Sequence, residues 1–318
     1  MTLGDGIRRN VAYVPVEERN RLRDAFRALN SADFTFPDKV TYWDKQEQIH
    51  KNAHTTGHSD VHGGPAFLPW HRELINRFED LLRKFDPKIS LHYWDWTTNP
   101  CGDDKLINLF TERFMGNSKG DAGKPFEDFI STEEDHNKVW RNVNGAFGGR
   151  NGAPLAFIDT DLEPIPIIPD DESILIAGDF LPSGEVRPIE EQFHFFRRAV
   201  ESAHNWAHTY LGGSISDPHF SFHDPFVFLL HSNVDRLWAR WQTMPDKDWR
   251  LNPDKVYGNE FDQESELSGN IEPWAGDEGE RGLIPWAPPF NWTEVKTYKD
   301  PTVINPRKYD TNMYFHYI

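Results

Sequence analysis

HSDVHGGPAFLPWHRELINRFED, which spans residues 58–80, contains the three histidines His58, His62 and His71. His62 and His71 lie nine residues apart in it, with helix-breaking residues between them. On one unbroken helix, nine steps of about 100° turn through about 900°, which would place the two rings on opposite faces. The glycines and prolines at 63–65 and at Pro69 predict instead that a helix begins between the two histidines. His62 would then lie in a lead-in loop and His71 inside the helix, where both could face one target.

Apolar and charged residues recur at helical spacing along five segments of the chain. The predicted helices cover residues 17–30, 40–54, 69–85, 188–210 and 224–242. Asp224 and Pro225 are a suitable N-cap and first residue for the last of them. The stretches 143–187 and 245–300 read as long irregular loops rather than as linkers, and no internal repeat is found. The sequence therefore predicts a mainly α-helical core with long loops and little β structure, in a single domain over residues 1–318.

Composition excludes several classes of protein. The net charge is −17, from 51 acidic and 34 basic residues, which disfavours nucleic acid as a partner. No apolar run approaches the roughly 18 residues that a membrane span needs. The N-terminus lacks the apolar segment of a signal peptide, so we expect a cytoplasmic protein. A single cysteine, Cys101, permits neither an intrachain disulfide nor a cysteine-based metal site, so any metal must be bound by His, Asp or Glu.

Histidines form the most informative pattern. His204 and His208 lie one helical turn apart, so both rings leave the same helix face and could bind one ion. A lone histidine on a helix is more often a packed core residue than a ligand, but here further histidines stand on neighbouring helical segments. Two sets of three result: His50, His62 and His71, and His204, His208 and His231. Three neutral imidazoles with an open position suit copper, zinc or iron.

Two rival metal sites use some of the same residues. Glu47 and His50, like Glu201 and His204, form Glu-x-x-His motifs, and two such motifs are typical of a di-iron carboxylate bundle. That arrangement leaves the other four histidines unexplained and needs glutamates on two more helices, whereas the segment 224–242 has none. A mononuclear zinc hydrolase is less consistent still, because no His-Glu-x-x-His motif occurs.

Several motifs resemble one protein family over nearly the whole chain. HGGPAFLPWHRELINRFE resembles the first copper-binding signature of tyrosinases, catechol oxidases and molluscan hemocyanins. HNWAH followed by DPFVFLLHSNVDRLWARWQ resembles their second signature, LHYWDWT at 91–97 is similar to the family's YWDW segment, and KYDTNMYFHYI at 308–318 resembles its closing tyrosine-rich strand. The resemblance implies a central four-helix bundle that holds a dinuclear, type 3 copper site with O2 as co-substrate. It also implies a single dicopper core domain over residues 1–318 without a C-terminal lid domain.

The resemblance also implies the ligands. His50, His62 and His71 would bind one copper ion, and His204, His208 and His231 the other. His50 is preferred to His54 and His58 as first ligand because its distance from Trp43 matches the family's spacing. Cys101 is not placed for the thioether bond to a ligand histidine that some relatives have.

Phenol oxidation is the activity that the resemblance implies. Asn205 and Glu201 would orient the water that acts as base for monophenol hydroxylation, and Ile215 and Phe220 are candidates for gate residues beside the substrate entrance. The expected enzyme hydroxylates monophenols and oxidises o-diphenols to o-quinones. Without a working Glu201–Asn205 pair it would oxidise only o-diphenols or o-aminophenols. A hemocyanin-like oxygen carrier is a further alternative, and a copper-loading accessory protein is a candidate partner beside the small phenolic substrates.

Overall fold

Helices dominate the computed structural model, which describes residues 4–56, 61–102, 107–130, 138–143, 170–261, 271, 273–274 and 297–310. The α-helices are α1 (Val16–Leu29), α2 (Tyr42–Thr56), α3 (Phe67–Phe85), α4 (Asp171–Ile176), α5 (Ile189–Leu211), α6 (Phe226–Gln242) and α7 (Pro301–Ile304). Strands β1 (Lys119–Asp121) and β2 (Trp140–Asn142) pair antiparallel. Short 3-10 turns cover Gly213–Ser216, Ser221–His223, Asp248–Leu251 and Gly258–Phe261. The expectation of a mainly α-helical fold with little β structure is confirmed.

All five predicted helices are present, and their ends differ from the prediction by at most two residues. The cap of α6 differs: Pro225 is the N-cap, and Asp224 precedes it and accepts a hydrogen bond from the Phe226 N–H at 2.9 Å. Helix α4 lies inside a stretch that was predicted to be an irregular loop. It is only six residues long, too short for a periodic signal, and begins where the Asp170 side chain accepts the Ser173 N–H. Residues 311–318 of the tyrosine-rich segment lie outside the described residues.

Helix α3 begins at Phe67, between His62 and His71 as predicted. Gly63 has φ of +77°, a left-handed conformation that a residue with a side chain adopts only with strain. Pro69 lies in the first turn of α3, where its missing N–H costs no helical hydrogen bond. The breakers therefore turn the chain sharply after His62 and then start the helix that carries His71.

Aromatic packing joins the helices that carry the candidate ligands. Helix α3 packs against α1, α5 and α6, and α5 also packs against α6. Phe78 of α3 stacks on Phe228 of α6 with ring centroids 3.6 Å apart. Trp43 of α2 meets both rings edge-on, at 5.8 Å and 5.2 Å, and all three side chains are fully buried. The histidines on these helices thus project from a rigid hydrophobic core.

A buried charge network ties both ends of the described chain to this core. The Arg8 guanidinium donates to Glu79 at 2.9 Å, to Asp235 at 3.1 Å and to the Tyr309 hydroxyl at 2.6 Å. Arg72 also binds Asp235, and its guanidinium lies 3.6 Å from the centre of the Trp238 indole. Since every charge has a partner of opposite sign, the network avoids the large penalty of an unpaired buried ion.

Within the described residues, no helix has both the length and the apolar composition that crossing a membrane requires.

Candidate metal centre

The first histidine triad assembles from three separate pieces of chain. His50 comes from α2, His62 from the loop before α3, and His71 from α3 itself. One nitrogen from each ring lies within 4.8 Å of the other two. The His62 ring centroid is 5.1 Å from those of both His50 and His71. The structure thus brings together the three residues that the sequence pattern grouped.

The second triad comes from two neighbouring helices. His204 and His208 leave one face of α5, and His231 reaches them from α6. The Nε2 atom of His204 lies 2.9 Å from Nε2 of His208 and 3.0 Å from Nε2 of His231. Three Nε2 atoms therefore point at one position, as the ligands of a single ion would.

Hydrogen bonds to carbonyl and amide oxygens set the orientation of four of the six rings. A carbonyl oxygen can only accept, so the ring nitrogen facing it is the protonated one and the other nitrogen keeps its lone pair. Nδ1 donates to Phe67 O in His71 (2.8 Å), to Val227 O in His231 (2.9 Å), to Ile215 O in His208 (2.6 Å) and to Asn205 Oδ1 in His204 (2.9 Å). Each of these rings presents an unprotonated Nε2 to the centre.

Burial keeps the rings neutral. It lowers the pKa of His71 to about 3 and that of His208 to about 4. Burial, together with the neighbouring histidines, also lowers the pKa of the other four well below the usual value, in His50, His62, His204 and His231. Unprotonated imidazoles are the form that binds a metal.

The two triads face each other across a short gap. The rings of His71 and His231 are nearly parallel, with centroids 4.8 Å apart and planes 10° apart. The ring centroids of His62 and His204 are 6.1 Å apart. Two ions bound by the triads would therefore be close neighbours, as a dinuclear centre requires.

Two phenylalanines that the sequence analysis did not single out complete the surroundings of the rings. Phe67 packs against His71 and His204, with centroids 4.9 Å and 5.0 Å away. Phe222 packs against His50 at 4.3 Å and His231 at 4.8 Å. Phe67 precedes His71 by one helical turn, so helical spacing could have identified it. Phe222 lies in a 3-10 turn and gives no periodic signal.

The buried nitrogens themselves indicate that the site holds metal. His50 Nδ1 and Nε2, His62 Nδ1 and His71 Nε2 have no hydrogen-bond partner among the described residues. Buried polar atoms without partners are costly, and bound metal ions would satisfy them. Six imidazoles suit copper, zinc or iron, and the two triads contain no carboxylate. The residues present therefore fit a dinuclear metal centre.

The di-iron carboxylate alternative does not match this geometry. The Oε2 atom of Glu47 lies 3.3 Å from Nδ1 of His223. The Oε2 atom of Glu201 accepts a hydrogen bond from Arg197 at 3.0 Å. Both glutamates of the Glu-x-x-His motifs are thus directed to other side chains of the protein, and neither belongs to a triad.

Glu201 and Asn205 lie one turn apart on α5, beside the second triad. Asn205 is exposed, and its oxygen orients the His204 ring as described above. Glu201 Oε1 accepts the Gly63 N–H at 2.5 Å, which fastens the loop after His62 to α5. Burial raises the pKa of Glu201, while the Gly63 N–H and Arg197 lower it. No described contact joins Glu201 directly to Asn205, so their catalytic roles stay predictions.

The two gate candidates lie in different surroundings. Ile215 is fully buried and uses its carbonyl to orient His208, so the structure does not place its side chain at an entrance. Phe220 is half-buried, with the Lys51 ammonium 5.5 Å from its ring centre. Phe220 is thus the more exposed of the two side chains, and the gating role of both residues stays a prediction.

His54, the alternative first ligand, lies outside both triads. It is exposed on α2 one turn beyond His50, and its ring centroid is 5.1 Å from that of His62. His58, the third alternative, lies outside the described residues. The structure thus groups His50, rather than His54, with His62 and His71.

Known proteins share both the sequence pattern and the fold. Residues 40–244 match the family model described as the common central domain of tyrosinase. A putative tyrosinase-like protein, tyr-3, of Caenorhabditis elegans is 31% identical over 242 residues, which are 76% of this chain and 31% of that protein. A tyrosinase of Streptomyces antibioticus is 25% identical over 281 residues, which are 84% of this chain and 92% of that protein.

Among solved structures, deoxygenated hemocyanin from Rapana thomasiana superposes with a TM-score of 0.57 at 20% identity, over 96% of this chain and 69% of that one. At this identity the superposition shows a shared fold alone. The chain also spans only about a third of the nematode relative, so the activity of that whole protein is not transferred by the match.

Proposed function

Because the chain belongs to the tyrosinase family, we propose that it hydroxylates monophenols and oxidises o-diphenols to o-quinones with O2. Membership confirms the expected family and its dinuclear copper cofactor, which the two histidine triads fit. Relatives that are named tyrosinase support phenol oxidation as the general activity of the chain. The finer statement, that monophenols are substrates as well as o-diphenols, is the proposal.

The facing triads of neutral histidines are the observation that carries this proposal. When bound, two copper ions supply the redox chemistry that couples reduction of O2 to oxidation of a phenol. The protein's part is to keep the six rings unprotonated, oriented and largely shielded from water. Phe67 and Phe222 contribute to that shielding by packing against rings of both triads.

A phenol would reach the centre beside His208. That ring is half-buried, whereas His204 and His231 are buried, so His208 offers the most accessible face of the second triad. An aromatic substrate ring can stack on an imidazole face. The loop at 212–220 borders this position, and an open groove of about 650 Å³ beside the loop includes Trp140 and Asp217 in its lining.

Monophenol hydroxylation also needs a base, because a phenol has a pKa of about 10 and is therefore protonated at neutral pH. Asn205 is the proposed orienting residue: its oxygen is bound to His204, which leaves its amide group free to donate to a water at the exposed side of the site. Glu201, one turn away, is the proposed acceptor of that water's proton. Burial, which raises its pKa, makes the carboxylate a better base.

One contact pattern favours a second candidate function. Both oxygens of Glu201 already accept hydrogen bonds, from Gly63 and from Arg197. If these contacts occupy the carboxylate fully, the protein would oxidise o-diphenols or o-aminophenols without hydroxylating monophenols. Both candidate functions use the same metal centre. They differ only in whether a base is available to deprotonate a monophenol.

Oxygen uptake by the copper-loaded protein separates these functions. A monophenol consumes one O2 for each o-quinone and water formed, whereas two catechols consume one O2 and yield two quinones and two waters. We expect uptake with both substrates in these ratios. His208→Ala, which removes one ligand of the second ion, is the matched inactive variant.

Uptake with catechol alone would replace the proposal by the o-diphenol or o-aminophenol oxidase. Reversible O2 binding without turnover would indicate an oxygen carrier. Full activity of His208→Ala would contradict the six-histidine centre itself.

A further inference from the structure

Two histidines outside the triads meet at the surface next to the metal centre. His54 is exposed on α2, and His219 is half-buried in the loop between α5 and α6. Their ring centroids lie 5.4 Å apart with planes inclined at 57°. Neither ring has a role in the function proposed above.

This spacing is the one that the triads themselves use. Centroid separations within the second triad run from 4.4 Å for His204 and His208 to 5.3 Å for His208 and His231, and His50 lies 5.8 Å from His71 in the first. At 5.4 Å, His54 and His219 can therefore turn one nitrogen each toward a single ion.

The pair also connects directly to the first triad. The centroid of His62 lies 5.1 Å from that of His54, and equally 5.1 Å from those of His50 and His71. His62 is half-buried, while His50 and His71 are buried. The imidazoles of His219, His54 and His62 thus form a continuous path from solvent to the buried ion position.

Local charge favours a cation at the start of this path. The Asp217 side chain accepts the backbone N–H of His219 at 2.8 Å. Burial and His219 lower the pKa of His54, whereas the nearby Asp217 carboxylate raises it. Lys51 is a nearby cation on α2, and its ammonium lies over the Phe220 ring. A metal ion at the pair would have a carboxylate close to it, in a chain of net charge −17.

We propose that His54 and His219 form a loading site, which takes a copper ion from solution and passes it to His62 of the first triad. The proposal rests on the dicopper centre described above. Transfer is a ligand exchange: the lone pair of His62 replaces that of His54 on the ion, those of His50 and His71 then replace that of His219, and no electron or proton changes hands. Once the ion is in the triad, the pair is free for another.

The test measures how fast metal-free protein acquires copper. Metal-free wild type, His54→Ala and His219→Ala are mixed with aqueous Cu²⁺, quenched with EDTA at intervals and desalted, and bound copper per chain is determined. Thr55→Ala, an exposed neighbour on the same turn of α2, is the matched control. We expect each histidine variant to acquire the ion of the first triad, one of the two per chain, about tenfold more slowly, because loss of a group just outside a metal site commonly weakens metal binding by at least that factor. All variants should reach the same final copper content as wild type.

A second measurement examines the pair directly. Protein with both triads filled is titrated with Zn²⁺ by calorimetry, because zinc binds imidazole and has no redox chemistry. We expect one further ion per chain in wild type and in Thr55→Ala, and none in either histidine variant.

Histidine variants that load copper as fast as wild type, or filled wild type that takes up no further zinc, would overturn the loading site. In those cases a full copper content leaves the dicopper centre intact. A wild type that never retains two copper ions per chain would overturn the centre and the loading site together.

Discussion

The carboxylate of Glu201 is assigned two roles, one in holding the local structure and one in the proposed reaction. Its carboxylate fastens the Gly63 loop to α5 and pairs with Arg197, which itself binds Glu260 at 2.8 Å. The same carboxylate is the proposed base for monophenol hydroxylation. A substitution that removes the negative charge of Glu201 but keeps a hydrogen-bond acceptor at this position separates the structural role from the catalytic role.

Glu201→Gln keeps an oxygen for the Gly63 N–H but cannot take up a proton. We expect monophenol hydroxylation to fall by about 10²-fold, the usual loss when a general base is removed, while catechol oxidation and copper content stay close to wild type. Initial rates with both substrates and metal analysis check this. Equal hydroxylation rates in Glu201→Gln and wild type would show that the carboxylate only holds the loop.

At the level of elements, Gly213 controls the turn between α5 and the loop that orients His208. It has φ of +61°, and a Cβ added there would collide with the Trp140 carbonyl oxygen of β2. This close approach brings the turn at Gly213–Ser216 against β2, next to the Ile215 carbonyl that binds His208.

Gly213→Ala should lower the free energy of unfolding by about 3 kcal/mol or more, because strain at positive φ adds to a backbone collision. Gly184→Ala is the matched control: Gly184 has φ of +85°, but nothing lies within 4 Å of its added Cβ. Strain alone should cost that variant about 1 kcal/mol. Denaturant unfolding of both measures the difference, and equal losses would mean that the Trp140 backbone moves aside without cost.

Helices and triads could be predicted from sequence because their signals are local. His204 and His208 share a helix face by spacing alone, and the glycines and prolines before and in the first turn of α3 indicate that a helix begins between His62 and His71. Phe222 could not be found this way, since its contact with His50 depends on how two distant segments pack. The Ile215 carbonyl was also missed, because the sequence pattern shows side chains and not the hydrogen bonds of main-chain atoms.

For the molecule as a whole, the network around Arg8 should contribute more to stability than any surface ion pair. Arg8→Met leaves Glu79 and Asp235 buried with one fewer cation, which should cost about 3–5 kcal/mol. Tyr309→Phe removes only a hydroxyl that accepts from Arg8 and donates to Asp235 at 2.7 Å, and should cost about 1–2 kcal/mol. Urea unfolding of the two variants tests the order, and a smaller loss in Arg8→Met would contradict it.

Acid should destabilise the metal-free protein in a defined range of pH. The pKa of His71 falls to about 3 and that of His208 to about 4 in the folded chain, against about 6.5 for an unfolded histidine. Between those values the unfolded state binds more protons, so stability is full above about pH 6.5 and falls as pH decreases, by up to about 1.4 kcal/mol per pH unit for each histidine.

Urea unfolding of the metal-free protein at several pH values between about 4.5 and 7.5 measures this slope. His71→Leu should show a shallower slope, because one histidine no longer titrates. A metal-free protein whose stability is constant or rises on acidification would contradict neutral burial of the rings.

The buried hydrogen bonds of Asp235 with Arg8 and Tyr309 limit how early α6 can reach its final packing during synthesis. Asp235 lies one helical turn beyond His231, and its partners come from opposite ends of the described chain. Arg72, the other partner of Asp235, also donates to the Ile304 carbonyl at 3.1 Å. During translation, α6 therefore emerges from the ribosome long before residue 309, with a carboxylate that has only part of its final surroundings. The middle of α6, where Asp235 lies, can therefore reach its final packing only after residue 309 has been made, so copper uptake at the second triad should follow the synthesis of residue 309 rather than precede it.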